Sequence, residues 1–237
     1  MGPILEELDY QQTPLGALVL RRRRSPAVPD GWVYEIRIND EMLMSSTVNV
    51  SERALARLAL DGLGDLPCDV LVGGLGLGYT VAAVLEHSRV RRLVVVELVA
   101  PVISWHRRRL VPMAAGLMDD ARCTLVEGDF FQHVGPGSSE GPYDAILLDI
   151  DHSPDSWLHV RHGDFYSATG LRALADRLKP RGVFALWSAC KPAAEFTETL
   201  RRVFPSVRSH EVSFFNPHIN EMDSNWVVVA GKPSGVN

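Results

Sequence analysis

The chain has only three cysteines in 237 residues, Cys68, Cys123 and Cys190, and no CxxC pair. That scarcity argues against a disulfide framework or a thiolate-held zinc. Each cysteine lies in or beside an apolar run and reads as a small buried hydrophobe in a reducing compartment. No apolar run approaches the roughly 18 residues that a membrane helix needs. The first residues, MGPILEELDYQQ, are acidic and lack the apolar stretch of a signal peptide. The expectation is a cytoplasmic protein without membrane association. Positive charge is also short: 24 Lys and Arg stand against 29 Asp and Glu, a formal net charge of -5. An overall basic footprint is absent, so nucleic acid is not an expected partner. Two local basic runs, Arg21 to Arg24 and Arg107 to Arg109, read as a solvated hairpin tip and a solvated helix face, with phosphate or an acidic partner as the alternative.

What is present suits a globular chain. The apolar fraction of 46% supplies a full core, and the length fits one large domain, or one with a small appendage. Residues 16–50 look β-rich: GALVLRRRR and GWVYEIRI flank the turn-forming SPAVPDG, and NDEMLMSSTV predicts a third short strand after an Asn-Asp turn. At Ser51, a plausible helix N-cap, the period changes, and Ala54, Leu55, Leu58 and Ala59 repeat at helical spacing up to Gly62. The domain boundary is therefore expected between residues 50 and 51.

From residue 68 strands and helices alternate. CDVLVGG, RLVVVE, CTLVEGD, YDAILLDI and GVFALWSA are short apolar runs of the kind covered on both faces. Helices are predicted over residues 77–87, from PVISWHRRRL, over 164–178 and over 192–203. GPGSSEGP at 135–142 is the one linker-like stretch. Two further strand-like runs, SVRSHEVSFF and NWVVVA, close the chain around NPHINEMDS. The pattern predicts an α/β fold, a doubly wound, mostly parallel seven-stranded sheet with an antiparallel last strand and a small N-terminal β segment.

The strongest chemical signal is the strand–glycine loop–helix at Val70 to Gly78. Gly74, Gly76 and Gly78 let the backbone turn sharply and approach a ligand closely. Glu97 ends the second strand, where a carboxylate can accept from both hydroxyls of a ribose. Asp129 follows the third strand and could accept from an adenine amine. These acids fall at successive strand C-terminal ends, the edge at which open α/β sheets bind ligands. The plainer reading is that they cap the helices that follow. A dinucleotide-binding dehydrogenase is a rival, but Gly74-x-Gly76-x-Gly78 departs from GxGxxG.

LVGGLGLGYT, VVELVAPVISWHR, LVEGDFFQHV, YDAILLDI and FYSATGLRALADRLKPRGVFALWS stand in an order and spacing that resembles the spermidine synthase family over roughly residues 68–190. The resemblance implies the class I methyltransferase fold and aminopropyl transfer from decarboxylated S-adenosylmethionine to an amine. It gives Glu97 to the ribose, Asp129 to the adenine, and Asp149 to taking a proton from the attacking amine. A carboxylate there suits the chemistry, because alkyl transfer from a sulfonium needs a neutral amine held in line. A loop or helix-capping role is the plain alternative for Asp149. The family's glycine-loop aspartate corresponds to Leu77, its Tyr-His-Glu phrase to Ser51-Glu52-Arg53, and its DSSDP phrase to Asp149 through Pro154. The nucleotide site is thus expected to be retained and the acceptor site altered.

Asp151, His152 and Glu221 are candidates for the acceptor amine. His159 and His162 with Asp149 or Asp151 could form a metal site, though surface or packing roles are more ordinary for such histidines and no metal is expected. Trp105 and Trp187 read as core or interface aromatics, and Trp157 as a candidate for lining the pocket. Two other functions stay open: a methyltransferase using intact S-adenosylmethionine, and a non-catalytic nucleotide-binding protein. A homodimer touching through the N-terminal β segment is implied by the resemblance alone.

Overall fold

The computed structural model describes residues 4–26, 28, 31–150, 152–157, 160–217 and 219–232. An antiparallel sheet comes first: β1 (Leu5–Thr13), β2 (Gly16–Arg24), β3 (Trp32–Ile38) and β4 (Glu41–Ser45), in that order. The Asn-Asp turn joins β3 to β4, both residues taking positive φ (47° and 66°), as a tight hairpin of this hand requires. β1 is not anticipated from its acidic, glutamine-rich sequence. A bulge between Glu7 and Asp9 breaks the two-residue period that would have revealed it. The arginine run is not a solvated tip: it lies along β2, where Arg21 and Arg23 both pair with buried Glu35 and Arg22 pairs with Glu6. Arg22 and Arg24 also sit over the Trp32 ring, at 4.2 and 4.0 Å from its centroid. The second basic run is likewise partly paired, Arg108 with Asp9 and Arg109 with Asp119.

The second sheet has seven strands in the order β10-β11-β9-β8-β5-β6-β7. They are β5 (Cys68–Gly73), β6 (Val90–Glu97), β7 (Cys123–Glu127), β8 (Tyr143–Leu148), β9 (Leu178–Ser188), β10 (Ser206–Asn216) and β11 (Glu221–Gly231). β5 is buried at every position, as a central parallel strand covered on both faces must be. The five strands from β5 to β9 pair in parallel, and β11 runs antiparallel to both β9 and β10. β9 begins four residues before the predicted run, since Leu178 already pairs with Tyr143. The loop between β10 and β11 shrinks to residues 217–220, so most of the polar NPHINEMDS lies in the ladder.

Helices cover both faces: α1 (Val50–Asp61), α2 (Tyr79–Leu85), α3 (Ala100–Arg107), α4 (Ala114–Asp119), α5 (Phe130–His133), α6 (Ala168–Asp176) and α7 (Ala194–Arg201). Pro101 stands in the first turn of α3, where its missing N–H costs nothing. Asn49, not Ser51, holds the N-cap position of α1, and the Ser51 side chain is thereby released for other bonds. Two apolar clusters, one on each face of the large sheet, make the core. Leu18, Leu20 and Ile36 of the small sheet belong to the first of them, which fastens the two sheets together. Cys68 is buried and Cys123 half-buried, but Cys190 is exposed, because it follows β9 in the turn toward α7.

Candidate active site

The C-terminal ends of the parallel strands open into one cavity of about 790 Å³, roofed by β3, β4 and the β1–β2 turn. The glycine loop forms one edge of it. Gly74 takes φ +92°, and a Cβ there would come 2.1 Å from the Asp149 carbonyl oxygen, so only glycine lets β5 and β8 end side by side. Gly76 also lines the cavity, beneath Met44, whereas Gly78 caps α2 from below and packs on His106. The Leu77 side chain is fully buried in the core. The neighbouring loop position that lines the cavity, Gly76, carries no side chain.

Under the loop, His106 is fully buried, with Nε2 2.9 Å from the Gly76 carbonyl oxygen and Nδ1 without a partner. Burial holds its pKa below the ordinary value. A neutral ring with a bare Nδ1 carries its proton on Nε2 and donates it to that carbonyl.

Glu97 ends β6 with 9% exposure. Its Oε2 accepts from Leu75 N at 2.9 Å and its Oε1 from Val99 N at 2.8 Å. Burial raises its pKa, and these backbone donors oppose the shift. Asp129 caps the helix that follows, as the plainer reading had it, and it also borders the cavity. Its Oδ1 accepts from Phe131 N at 2.8 Å, capping α5, and the residue lines the cavity. Beside it the Phe131 and His162 rings lie 4.1 Å apart, centroid to centroid.

Asp149, just past the end of β8, lies at the centre of the edge. Its backbone N–H donates to Gly73 O at 2.9 Å, and Thr80 Oγ1 donates to Oδ2 at 2.6 Å. Facing the same space is Glu52 from the first turn of α1, 8% exposed. Both carboxyls are held above the ordinary range. Burial is the main cause for each. The Asp149 charge adds to it for Glu52, and the Thr80 hydroxyl opposes it for Asp149. Glu52 accepts from Ser51 Oγ at 2.8 Å, and Ser51 in turn accepts from Trp187 Nε1 at 2.9 Å and lies 2.9 Å from Asn225 Oδ1.

Glu52, Thr80, Trp187 and Asn225 are thus site residues or their supports that the sequence reading did not assign. Glu52 stands inside the Ser51-Glu52-Arg53 phrase, which the sequence alone shows only as a departure from the family's pattern. Of the acceptor candidates, His152 lines the cavity at its exposed rim. Glu221 is exposed at the start of β11 and does not line the cavity. Asn216, Asp223 and Asn225 of the same hairpin do. Asp151 and His159 fall outside the described residues. Among those described, no group of three metal-ligating side chains occurs. Trp157 turns from the cavity to Gly163 and the Tyr166 ring, while Trp187 lines it.

Comparison with known proteins places this geometry. Residues 40–229 match the profile of the spermine/spermidine synthase domain. A polyamine aminopropyltransferase 2 of Pseudomonas aeruginosa is 35% identical over 176 residues, 69% of this chain and 48% of that protein. A polyamine aminopropyltransferase of Bacillus mycoides is 29% identical over 60% of this chain and 50% of its own length. The chain therefore spans about half the length of the curated relatives it matches. Among solved structures, spermidine synthase from Thermotoga maritima superposes with a TM-score of 0.73 at 21% identity, covering 98% of this chain and 74% of that one. A spermidine synthase bound to the transition-state analogue AdoDATO gives 0.72 at 21% identity, covering 98% and 73%. The fold is thus that of spermidine synthase, and by the extent of the profile match the chain belongs to the spermine/spermidine synthase family.

Proposed function

We propose that the protein transfers an aminopropyl group from decarboxylated S-adenosylmethionine to an amine. One observation carries this reading. The described cavity lining holds five carboxylates, Glu52, Glu97, Asp129, Asp149 and Asp223, and no Lys or Arg. Such a space favours cations: a sulfonium, a primary ammonium on the donor and an amine acceptor. An intact S-adenosylmethionine would bring a carboxylate with no cationic side chain to receive it, which weighs against the methyltransferase reading. In this assignment Glu97 holds the ribose, Asp129 the adenine beside Phe131 and His162, and the Gly74–Gly76 backbone borders the donor. Asp151 and His152 remain acceptor-side candidates on the strength of sequence, as does Glu221, should the hairpin tip bend inward.

The reaction balances with this chain's residues. The acceptor ammonium gives a proton to the Asp149 carboxylate, and the freed lone pair forms the new C–N bond. The C–S bond breaks with its electrons passing to sulfur, which leaves as a neutral thioether in methylthioadenosine. Thr80 keeps Asp149 oriented through Oδ2, and burial makes the carboxyl a stronger base than an exposed one. A homodimer through the N-terminal sheet is part of the proposal, supported by exposed Leu5 and Tyr10 on β1. A cytoplasmic setting is also part of it, and the three free cysteines suit a reducing compartment.

Calorimetry with decarboxylated S-adenosylmethionine, intact S-adenosylmethionine and methylthioadenosine tests the donor. Preference for the first and third supports the reading, and preference for the second replaces it with methyl transfer. Asp149→Asn is expected to abolish transfer and leave methylthioadenosine affinity nearly unchanged. Full activity in that variant would remove Asp149 from its role, and absence of turnover with any amine in the wild type would favour a non-catalytic nucleotide binder.

A further inference from the structure

Glu52 is a buried carboxylate with no ion pair to it among the described residues, and Arg53 acts on it only at a distance. The adjacent guanidinium, Arg53, points elsewhere, to Asn49 Oδ1 at 3.1 Å and Glu86 at 2.9 Å. The one side-chain donor that reaches Glu52 among the described residues is the Ser51 hydroxyl. That hydroxyl has a single proton and two acceptors before it, Glu52 Oε2 and Asn225 Oδ1. A charge so poorly compensated does not persist in a protein interior unless a proton or a ligand completes it. The space it faces belongs to the cavity that also holds Asp149. The glycine loop offers no charge there, since Gly76 has no side chain and Leu77 is in the core.

We propose that Glu52 and Asp149 together form the seat of the acceptor's ammonium, Glu52 holding the nitrogen by its charge while Asp149 takes the proton. The inference rests on the aminopropyl-transfer reading and adds to it the residue that supplies the missing anchor. In the unliganded protein burial, and for Glu52 the Asp149 charge as well, favours a proton on the pair. A bound ammonium displaces it and lets both ionise, because one positive charge between two carboxylates removes their repulsion. The charged and titratable groups on α1 and on the elements packed against it include Arg53 beside Glu52, Tyr79 at the start of α2, Glu86 just past its end, Asp223 on β11 and His210 on β10. Of these, Tyr79 and Asp223 line the cavity, and neither carries positive charge. Trp187 and Asn225 position Ser51, and through it the Glu52 carboxylate.

Glu52→Gln and Glu52→Asp separate a seat from a packing role. Transfer is measured with putrescine, cadaverine and propylamine, alongside calorimetric binding of methylthioadenosine. Glu52→Gln is expected to raise KM for the amine roughly 10- to 100-fold, the loss of one charged hydrogen-bonded contact. The change in kcat should be much smaller, methylthioadenosine affinity should be kept, and Glu52→Asp should recover part of the loss. The acidic limb of the kcat/KM profile should also move to lower pH in Glu52→Gln, since Glu52, held at about 7, no longer has to ionise and only Asp149, held at about 6, remains. A wild-type KM and an unmoved limb in Glu52→Gln would overturn the inference while turnover upheld the parent reading. Wild-type protein that binds methylthioadenosine but no amine would overturn both. Should Glu52→Gln also lose methylthioadenosine, Glu52→Asp decides: a raised KM at unchanged nucleotide affinity supports the seat, and no rise sinks it.

Discussion

Among single residues, Gly74 and Asp149 are the most tightly bound to one another. A methyl group on Gly74 would meet the Asp149 carbonyl oxygen at 2.1 Å, and the φ of +92° is itself unfavourable for any other residue. Neither partner can give way, because Asp149 N is bonded to Gly73 O. Gly74→Ala is therefore expected to cost about 3 kcal/mol or more in urea unfolding and to lower transfer in whatever fraction folds. Gly78→Ala strikes His106 Cε1 and α4 instead of Asp149, so its stability cost should come without a specific loss of amine affinity. The positions of Glu97 and Asp149 at the cavity edge were readable from sequence, since each follows or ends an apolar run that can only be a buried strand. Glu52 was not. Helical period shows which face of α1 is apolar, but the approach of its first turn to the end of β8 depends on how α1 crosses the sheet, and no local pattern encodes that.

The same contrast holds for elements. β5, β6 and β8 announce themselves as continuous apolar runs, and the Asn-Asp turn fixes the β3–β4 hairpin. β1 is concealed by its bulge, and β9 by Lys179-Pro180-Arg181-Gly182, which reads as a helix terminator although the strand passes through it with Arg181 at φ 63°. β1 is held to the large domain by one polar clasp: Asp9 Oδ2 accepts from buried Trp105 Nε1 at 2.7 Å, and Oδ1 from Arg108 at 3.1 Å. Asp9→Ala leaves the indole N–H unsatisfied, with an expected cost of about 1–3 kcal/mol. Limited proteolysis should show faster cleavage within residues 5–45, since this clasp restrains the sheet that roofs the cavity. An unchanged cleavage pattern would mean that Leu18, Leu20 and Ile36 hold the sheet unaided.

For the whole molecule, the buried acids set a pH dependence of stability. A carboxyl whose pKa is higher folded than unfolded binds its proton more tightly in the native state. Its contribution is then greatest below the ordinary carboxylate range and is lost as pH rises through the folded value. For the Glu52–Asp149 pair that loss runs from the ordinary values of 4.5 and 3.8 up to about 7 and about 6. Glu52→Gln should accordingly melt several degrees above wild type at pH 8 and lose that advantage at pH 4, measured by calorimetry without ligand. Equal melting at both pH values would show that Glu52 is solvated and not confined. A saturating amine should reduce the difference at pH 8 by stabilising the wild type more than the variant.

The small sheet makes all of its strand pairings within itself, yet its β3 and β4 roof the cavity whose floor belongs to the parallel strands. Floor and roof therefore share no strand pairing, and either can be exchanged so long as the contacts of Leu18, Leu20, Ile36 and Asp9 are kept. A lineage could keep the carboxylates at the strand ends and vary only Met42, Leu43 and Met44 overhead. It would then accept new amines while its chemistry stood still, and the same exchange is open to an engineer who grafts one relative's first 45 residues onto another.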